Sequence, residues 1–108
     1  MVEQDARLDL IFGSLADGTR RDILRRVAAQ ELSVGQIAGA YEMSFAAVSK
    51  HLAVLERARL ITKRREGRLQ VAALSPATLS EASDHLERWR GIWEGRLDRL
   101  EAYLERQK

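Results

Sequence analysis

The sequence predicts a mainly α-helical fold of the α+β class, with about five helices and one β-hairpin. Apolar residues recur at helical spacing along most of the 108-residue chain. One short stretch around Gly67 changes instead to strand-forming residues on both sides of a turn. The length fits a single domain, residues 1–108, with a modest hydrophobic core.

The composition excludes several classes of protein. Contents of 45% hydrophobic and 31% charged residues are ordinary for a globular domain. The chain has no cysteine, which excludes disulfides, a thiol nucleophile and thiolate metal ligands. No segment approaches the roughly 20 apolar residues of a membrane helix, and Met1–Asp5 is acidic where a signal peptide is basic. We therefore expect a cytoplasmic protein with no membrane partner.

Positive charge is concentrated in one part of the chain. Between Ser44 and Arg68, seven basic residues stand against two acidic ones, a net charge of +5 in a chain whose total is +2. The basic residues are Lys50, Arg57, Arg59, Lys63, Arg64, Arg65 and Arg68. Such a block is typical of proteins that bind nucleic acid or an anionic surface. From charge alone, a solvated face is an equal alternative.

The first two predicted helices are separated by a capping signal. The first carries four apolar residues on one face: Leu8, Ile11, Phe12 and Leu15. Asp17-Gly18-Thr19 interrupts this pattern, and Asp17 or Thr19 can cap the next helix. The second helix turns three apolar residues inward: Ile23, Leu24 and Val27. Its arginines are expected to face water and to pair with Asp22 or with the partner chain: Arg20, Arg21, Arg25 and Arg26.

Two short helices are predicted over residues 33–58. Ser33 can cap the first of them, and Gln36 completes a capping-box pattern. The apolar side of this helix consists of Val34, Ile37, Ala38 and Tyr41. Ser44 can cap the second helix, whose buried stripe is Val48, Leu52 and Leu55. Two short helices joined by about four residues form a helix-turn-helix.

Residues 61–74 are predicted to form a β-hairpin. Ile61–Arg65 begins with strand-forming residues, Glu66-Gly67 is a turn pair, and Arg68–Val71 can return as the second strand. A hairpin directly after a helix-turn-helix makes a winged helix. The tip of this wing would carry three arginines: Arg64, Arg65 and Arg68.

The last predicted helix covers residues 76–106. Ser75 suits its N-cap, and Pro76 suits its first helical position. Seven apolar residues form a stripe: Leu79, Leu86, Trp89, Trp93, Leu97, Leu100 and Leu104. A helix of ~46 Å is too long for a small domain to cover, so the stripe predicts self-association. Gly91 and Gly95 each cost about 1 kcal/mol relative to alanine and indicate a bend or a close helix approach.

Five motifs, in order along the chain, resemble those of one protein family. Residues 15–24 (LADGTRRDIL) are similar to its opening LADPTRRxIL, with Gly18 in place of the usual proline. Residues 33–38, 43–44 and 48–55 resemble its helix-turn-helix, residues 64–68 its wing, and residues 93–98 its carboxyl helix. The family is that of the ArsR-type (SmtB/ArsR) winged-helix transcriptional regulators. The resemblance covers roughly Leu8 to Leu104.

The resemblance implies a homodimer formed by the first helix, residues 5–16, and the last helix, residues 76–106. It also implies that the second helix of the helix-turn-helix enters the major groove of operator DNA, and that the dimer represses transcription by occluding a promoter. The chain departs from the family at Arg59, where glycine is expected, and at Val71 and Ala72, where aromatic residues are usual.

The metal sites of that family are not matched. Residues 33–36 (SVGQ) lack its cysteine pair, and its carboxyl-helix site needs two histidines with carboxylates. This chain has only His51 and His85. Asp84 and His85 are adjacent, so on a helix they point about 100° apart. The chain is therefore similar to the metal-free branch of the family, and we expect no metal and no cofactor.

Eleven residues are expected to contact DNA: Ser44, Phe45, Ala46, Ala47, Ser49, Lys50, His51, Lys63, Arg64, Arg65 and Arg68. Lys50 can donate to guanine O6 and N7. Ser49 can bind a base or a phosphate. Ser44, or the helix N-terminus beside it, can bind a phosphate.

Several of these assignments have alternatives. Phe45 fits core packing as well as a groove contact. Ala46 and Ala47 offer only methyl groups, suited to thymine methyls or to close approach of the helix. His51 can donate to a phosphate or form a local hydrogen bond. The wing arginines fit a narrow minor groove or phosphates, or a solubilising strand edge.

Ten apolar residues are expected to form the dimer interface: Leu8, Ile11, Phe12, Leu15, Leu86, Trp89, Trp93, Leu97, Leu100 and Leu104. A ligand pocket lined by the two tryptophans is an alternative. The sequence identifies no inducer.

The leading functional hypothesis is a homodimeric, sequence-specific transcriptional regulator, a repressor at an inverted-repeat operator. One alternative is a protein–protein adaptor that has lost DNA binding, because Phe45–Ala47 is apolar where other DNA readers place polar side chains. Another is a repressor that senses a small organic ligand at the dimer interface. No enzyme is predicted, since Ser49 and His51 diverge on a helix and no catalytic triad or phosphate loop appears.

Overall fold

A computed structural model describes residues 3–107 of the chain, with side chains from residue 6 onward. Its elements, in order, are α1 (Glu3–Ser14), α2 (Gly18–Ala29), β1 (Leu32–Ser33), α3 (Val34–Ala38), α4 (Phe45–Arg57), β2 (Ile61–Glu66), β3 (Leu69–Leu74) and α5 (Pro76–Arg106). Five helices and a wing hairpin within these residues confirm the predicted fold class. The helix-turn-helix consists of α3 and α4, and the wing consists of β2 and β3.

Side-chain caps define where three helices begin. Asp17 Oδ1 accepts a hydrogen bond of 3.0 Å from the backbone N–H three residues on, at the start of α2. Ser33 and Gln36 form the predicted capping box of α3, and Ser44 Oγ accepts a 3.1 Å bond from the first turn of α4. Ser75 occupies the N-cap of α5 as predicted, but its side chain makes no capping hydrogen bond.

The end of α4 is closed by a Schellman motif. Arg59 follows the last turn with φ of 62°, in the left-handed region. Its N–H donates to Glu56 O at 2.9 Å, and Leu60 N–H donates to Leu55 O at 3.0 Å. These are the paired bonds of that motif, which normally has glycine at the left-handed position. The arginine that replaces the expected glycine therefore keeps the glycine conformation.

The hydrophobic core surrounds α4. The largest fully buried apolar side chains are Ile11, Ile23, Ile37, Val48, Leu52, Leu55, Leu60 and Ile61. Helix α4 contacts α1, α2, α3 and β2, so the stripe predicted from its spacing lies at the centre of the domain. Burial of each leucine contributes about 1.5–3 kcal/mol, which fixes the rotation of α4 about its axis.

Two arginines of α2 that were predicted to face water are partly buried. Arg26 Nε donates to Asp22 Oδ2 at 2.9 Å and to the Tyr41 hydroxyl at 3.1 Å. Arg20 Nε donates to Ser14 O at 2.7 Å. Their aliphatic stems can be buried while the guanidinium groups keep their hydrogen-bond acceptors. The other two arginines are exposed as predicted: Arg21 and Arg25. The predicted pairing with Asp22 is present for Arg25 and Arg26.

The sheet has three antiparallel strands in the order β1-β3-β2. Strands β2 and β3 pair from Ile61 with Leu74 to Glu66 with Leu69, and Gly67 in the turn has φ of 60°. Strand β1 was not predicted. It has only two residues and depends on β3 for its hydrogen bonds, so its own sequence carries no strand signal.

Helix α5 is continuous from Pro76 to Arg106 and extends away from the rest of the domain, so that the principal dimensions of the molecule with α5 included are 69 × 31 × 23 Å. Only its first turns are covered: Thr78 and Ala82 are its buried residues. A Cβ atom at Gly91 would have no neighbour within 4 Å. No other part of residues 3–107 therefore packs closely against α5 at this glycine. No helix in this part of the chain has both the length and the apolarity needed to cross a membrane.

Candidate nucleic-acid interface

The N-terminal half of α4 presents one side to solvent. Val48 and Leu52 are buried beneath it. The residues on the outward side are exposed or half-buried: Phe45, Ala46, Ala47, Ser49 and Lys50. Phe45 is 61% exposed, so of its two predicted roles the structure excludes core packing within the protomer.

Lys50 and Ser44 keep hydrogen-bonding capacity on this side. Lys50 makes no hydrogen bond or ion pair with any side chain between residues 6 and 107, so its ammonium group is free to bind a ligand. Ser44 Oγ accepts the capping bond of α4, but its hydroxyl hydrogen can still be donated. Both groups can therefore donate to an anion or a base edge in front of the helix.

His51 makes the local hydrogen bond that was one of its two predicted roles. Arg20 Nη1 lies 3.3 Å from His51 Nδ1. Because a guanidinium group can only donate, Nδ1 must be the acceptor, and the proton of the neutral ring is on Nε2. The interaction thus orients the histidine and leaves Nε2–H as a donor.

The structure places Arg64 away from the wing tip, contrary to the prediction. It pairs in register with Val71, and its guanidinium group forms ion pairs with Glu31 and with Glu66, the latter at 3.0 Å. These carboxylates raise the pKa of Arg64, and Arg64 holds the pKa of Glu31 below its usual value. Arg64 therefore joins β2 to the segment before β1.

The other three cations of the wing differ in how firmly they are held. Lys63 Nζ lies 3.4 Å from Glu56 Oε1 on α4. Arg65 Nε donates to the carbonyl oxygen of Gly67 at 3.3 Å. Arg68 has no hydrogen bond or ion pair with the described side chains. The tip of the wing therefore carries Arg65 and Arg68, and Arg68 is its free cation.

A groove of about 360 Å³ lies between the outward side of α4, the hairpin and the start of α3, where Ser33, Val34 and Gly35 line it. Phe45, Ser49 and Leu52 line it from α4, and Lys63, Arg68 and Leu69 line it from the hairpin. Sequence reasoning missed Leu69 as a surface residue, because it was interpreted only as part of a returning strand. It is the first residue of β3 and is 57% exposed.

The winged-helix fold, with Lys50 on the outward side of α4, agrees with comparisons of this chain to known proteins. The family model described as "Bacterial regulatory protein, arsR family" matches residues 17–63. The chain is 42% identical to the HTH-type transcriptional regulator Rv2034 of Mycobacterium tuberculosis, across 75% of this chain and 76% of that one. This chain belongs to the ArsR family. Proteins of this family are transcriptional regulators that bind DNA and are not enzymes, as predicted.

Two further comparisons agree with this assignment. This ArsR-family chain is 33% identical to the "Transcriptional repressor SmtB homolog" of Synechocystis, across 80% of this chain and 68% of that one. Its fold is similar to that of a solved ArsR-like transcriptional regulator from a Rhodococcus species, with a TM-score of 0.80 and 29% identity. That likeness covers 92% of this chain and 93% of the other.

An extended apolar face of the ArsR-family chain lies on α5. Six of the predicted interface residues are each more than half exposed: Leu86, Trp89, Trp93, Leu97, Leu100 and Leu104. Three further exposed apolar residues were not predicted: Leu10, Ile92 and Tyr103. Phe12 and Leu15 are half-buried against the core. The exposed apolar residues therefore lie mainly along α5, with Leu10 on α1.

The structure places Leu8 and Ile11 in the core of the protomer, although they were predicted to line the dimer interface. They are only 6% and 2% exposed, because α1 turns this pair toward α4. The sequence pattern predicts one apolar surface on α1. The helix instead divides its apolar residues between the core and the more exposed positions at its edge, such as Leu10.

His85, the histidine of α5, contacts aromatic side chains of its own protomer. His85 Nε2 accepts a hydrogen bond of 3.1 Å from Trp89 Nε1, and its ring lies 6.0 Å from that of Phe12. No three histidine, aspartate or glutamate side chains within residues 6–107 are close enough to share a metal ion. Zinc ligands have to converge on one ion, so residues 6–107 of a single protomer do not assemble such a site.

Proposed function

We propose that the chain is a homodimeric, sequence-specific repressor that binds an inverted-repeat operator, occludes a promoter and uses no metal. The observation that carries the proposal is the outward side of α4, where Lys50 is free, next to a wing tip where Arg68 is free. A helix with this exposure can enter the major groove, and a cationic hairpin can reach the adjacent backbone or minor groove. Since the partner is operator DNA, the proposed place of action is the cytoplasm.

The proposed DNA-contacting residues fall into groups by their freedom to bind. Base-side contacts are proposed for the outward residues of α4: Phe45, Ala46, Ala47, Ser49 and Lys50. Phosphate contacts are proposed for Ser44, for His51 through Nε2–H, and for the wing residues Lys63, Arg65 and Arg68. Arg64 has the weakest support, because DNA would have to compete with its carboxylate partners Glu31 and Glu66.

The homodimer is proposed from the uncovered apolar face of α1 and α5. Exposed apolar side chains along a helix that extends from the domain are the pattern of an interface between copies. Two-fold symmetry makes such an interface self-complementary and places the two α4 helices about 34 Å apart, one turn of DNA. An operator with inverted half-sites follows from that symmetry.

Binding can be tested without knowing the operator. Duplexes enriched from a random library with the purified protein are used for fluorescence anisotropy with wild type, Lys50→Ala and Arg88→Ala. Removal of the base contact of Lys50 is expected to raise Kd about tenfold or more. Arg88→Ala removes one exposed positive charge from α5 and should leave Kd near that of wild type. Failure to enrich any duplex would contradict the proposal.

Two finer parts of the proposal need separate readouts. Transcription in vitro from a promoter that contains the enriched site should fall when protein is added; stimulation would identify an activator instead.

Operator affinity should be the same with added Zn²⁺ and with EDTA. A change of tenfold or more in Kd between these two conditions would contradict the proposed lack of a metal.

A protein–protein adaptor is a second candidate, favoured by the exposed Phe45 at the first position of α4. The charge reversals Lys50→Glu and Arg65→Glu distinguish the two functions. A repressor should release DNA in both variants. An adaptor would bind no duplex even as wild type, and both variants would keep its protein partner.

A further inference from the structure

Two exposed apolar side chains of this protein are left unexplained by the proposed dimer. The large, exposed apolar residues of the described chain lie on α1 and α5 with two exceptions, Phe45 and Leu69. These two residues are 61% and 57% exposed. They belong to different elements, yet they line the same groove between α4 and the wing.

The fold itself does not require a leucine at position 69. The residue closes the hairpin opposite Glu66, a position where a polar side chain would be equally compatible with the turn. The buried residues of β3 are Val71 and Ala72. An apolar residue at an exposed strand end also carries a risk of aggregation. Its presence there is best explained by a partner that covers it.

The chemistry of the groove restricts that partner. Lys63 and Arg68 line it together with Ser49, Phe45 and Leu69, and none of its lining residues is acidic. The partner must therefore be anionic and must also offer apolar surface. A strand of duplex DNA meets both conditions, because its phosphates alternate with deoxyribose rings and its base edges include thymine methyls.

The position of the groove agrees with that partner. If α4 occupies the major groove and the wing tip reaches the adjacent minor groove, the sugar–phosphate strand between the two grooves must pass between α4 and the hairpin. The groove lies in that position. We propose that Leu69 is a DNA contact on the minor-groove side of this strand, opposite Phe45 on the major-groove side, and that the two apolar side chains supply affinity that does not depend on salt. This inference rests on the proposed function.

The test compares Leu69→Ala with Arg68→Ala on an enriched duplex over a series of salt concentrations. Removal of the apolar side chain should raise Kd about tenfold at every salt concentration and leave the slope of log Kobs against log salt unchanged. Removal of the arginine should instead reduce the magnitude of that slope by about 1 for each phosphate that is no longer neutralised. Thr62→Ala, an exposed position near the base of the same hairpin, is the matched control and should match wild type.

A second measurement addresses Phe45 directly. Thymines of the enriched duplex are replaced one at a time by uracil, which lacks the C5 methyl group. At one position the replacement should raise Kd severalfold for wild type and have no effect for Phe45→Ala. Circular dichroism and the thermal midpoint establish that each variant is folded; Leu69→Met, which keeps an apolar side chain, should retain wild-type affinity.

The outcomes separate this inference from the proposed function. If wild type binds no duplex, both are wrong. If wild type binds and Leu69→Ala has the affinity of wild type, only the role of Leu69 is wrong. If Leu69→Ala changes the salt slope as much as Arg68→Ala, Leu69 acts by positioning the arginine, and the proposed apolar contact is also wrong.

Discussion

Arg59 occupies a backbone conformation that normally selects glycine. With φ of 62° it completes the Schellman motif that ends α4 and directs Leu60 into the core. A residue with a Cβ atom in the left-handed region costs roughly 1–2 kcal/mol. The sequence analysis identified Arg59 as unusual at a position where glycine is expected. In the structure the backbone at Arg59 has the left-handed conformation that is typical of glycine.

Arg59→Gly should therefore stabilise the protein. The relief of strain outweighs the entropy that glycine gains in the unfolded chain, so we expect the free energy of unfolding to rise by about 0.5–1 kcal/mol in urea titrations. Arg59→Ala keeps the Cβ atom and should have the stability of wild type. A less stable glycine variant would show that the arginine side chain makes stabilising contacts that exceed the strain.

Asp22 gives the fold a specific sensitivity to acid. The Tyr41 hydroxyl, and then Arg26 and Arg25, donate to this carboxylate and hold the pKa of Asp22 well below its ordinary value. A carboxyl group with a lowered folded-state pKa stabilises the fold above the unfolded-state pKa, about 4. That contribution is lost as pH falls further toward the folded-state pKa.

Asp22→Asn should remove this contribution. At neutral pH the variant should have a lower thermal midpoint than wild type. Between about pH 5 and pH 2 the wild-type midpoint should fall more steeply, so that the two curves converge. Thermal melts at fixed protein concentration measure both curves. Parallel curves would show that the titration of Asp22 does not contribute to stability.

The helices show which parts of the structure the sequence could specify. The capping box of Ser33 and the cap at Ser44 are local, within three residues, and both were predicted and are present. Strand β1 and the ion pair between Arg64 and Glu31 depend on residues far apart in sequence. The wrong placement of Leu8 and Ile11 at the dimer interface has the same cause. The spacing of apolar residues identifies a buried stripe but not whether the protomer or a partner covers it.

The apolar face of α5 leads to a prediction about assembly. Leu97→Glu places a charge in the middle of the exposed stripe, where an interface would bury it without a partner. We expect this variant to be monomeric by analytical ultracentrifugation at concentrations where wild type is dimeric. Arg88→Glu introduces the same side chain on the opposite side of α5 and should remain dimeric. If Leu97→Glu were dimeric like Arg88→Glu, the proposed interface would be wrong.

Net charge and two-fold symmetry together determine how the proposed dimer binds DNA. The net charge is only +2, so long-range attraction of the whole chain to DNA is weak, and binding depends on the local cations of α4 and the wing. Symmetry doubles these contacts in a dimer. Each protomer of such a repressor should therefore supply about half of its salt dependence.

This arrangement predicts how salt affects the dimer and the monomer. If the dimer neutralises six or more phosphates, log Kobs should fall with log salt with a slope of about −5 or steeper. The Leu97→Glu monomer, bound to a single half-site, should show about half of that slope. Anisotropy titrations over a range of KCl concentrations measure both values. Equal slopes for the two proteins would mean that one protomer makes all the phosphate contacts, and the symmetric mode of binding would be wrong.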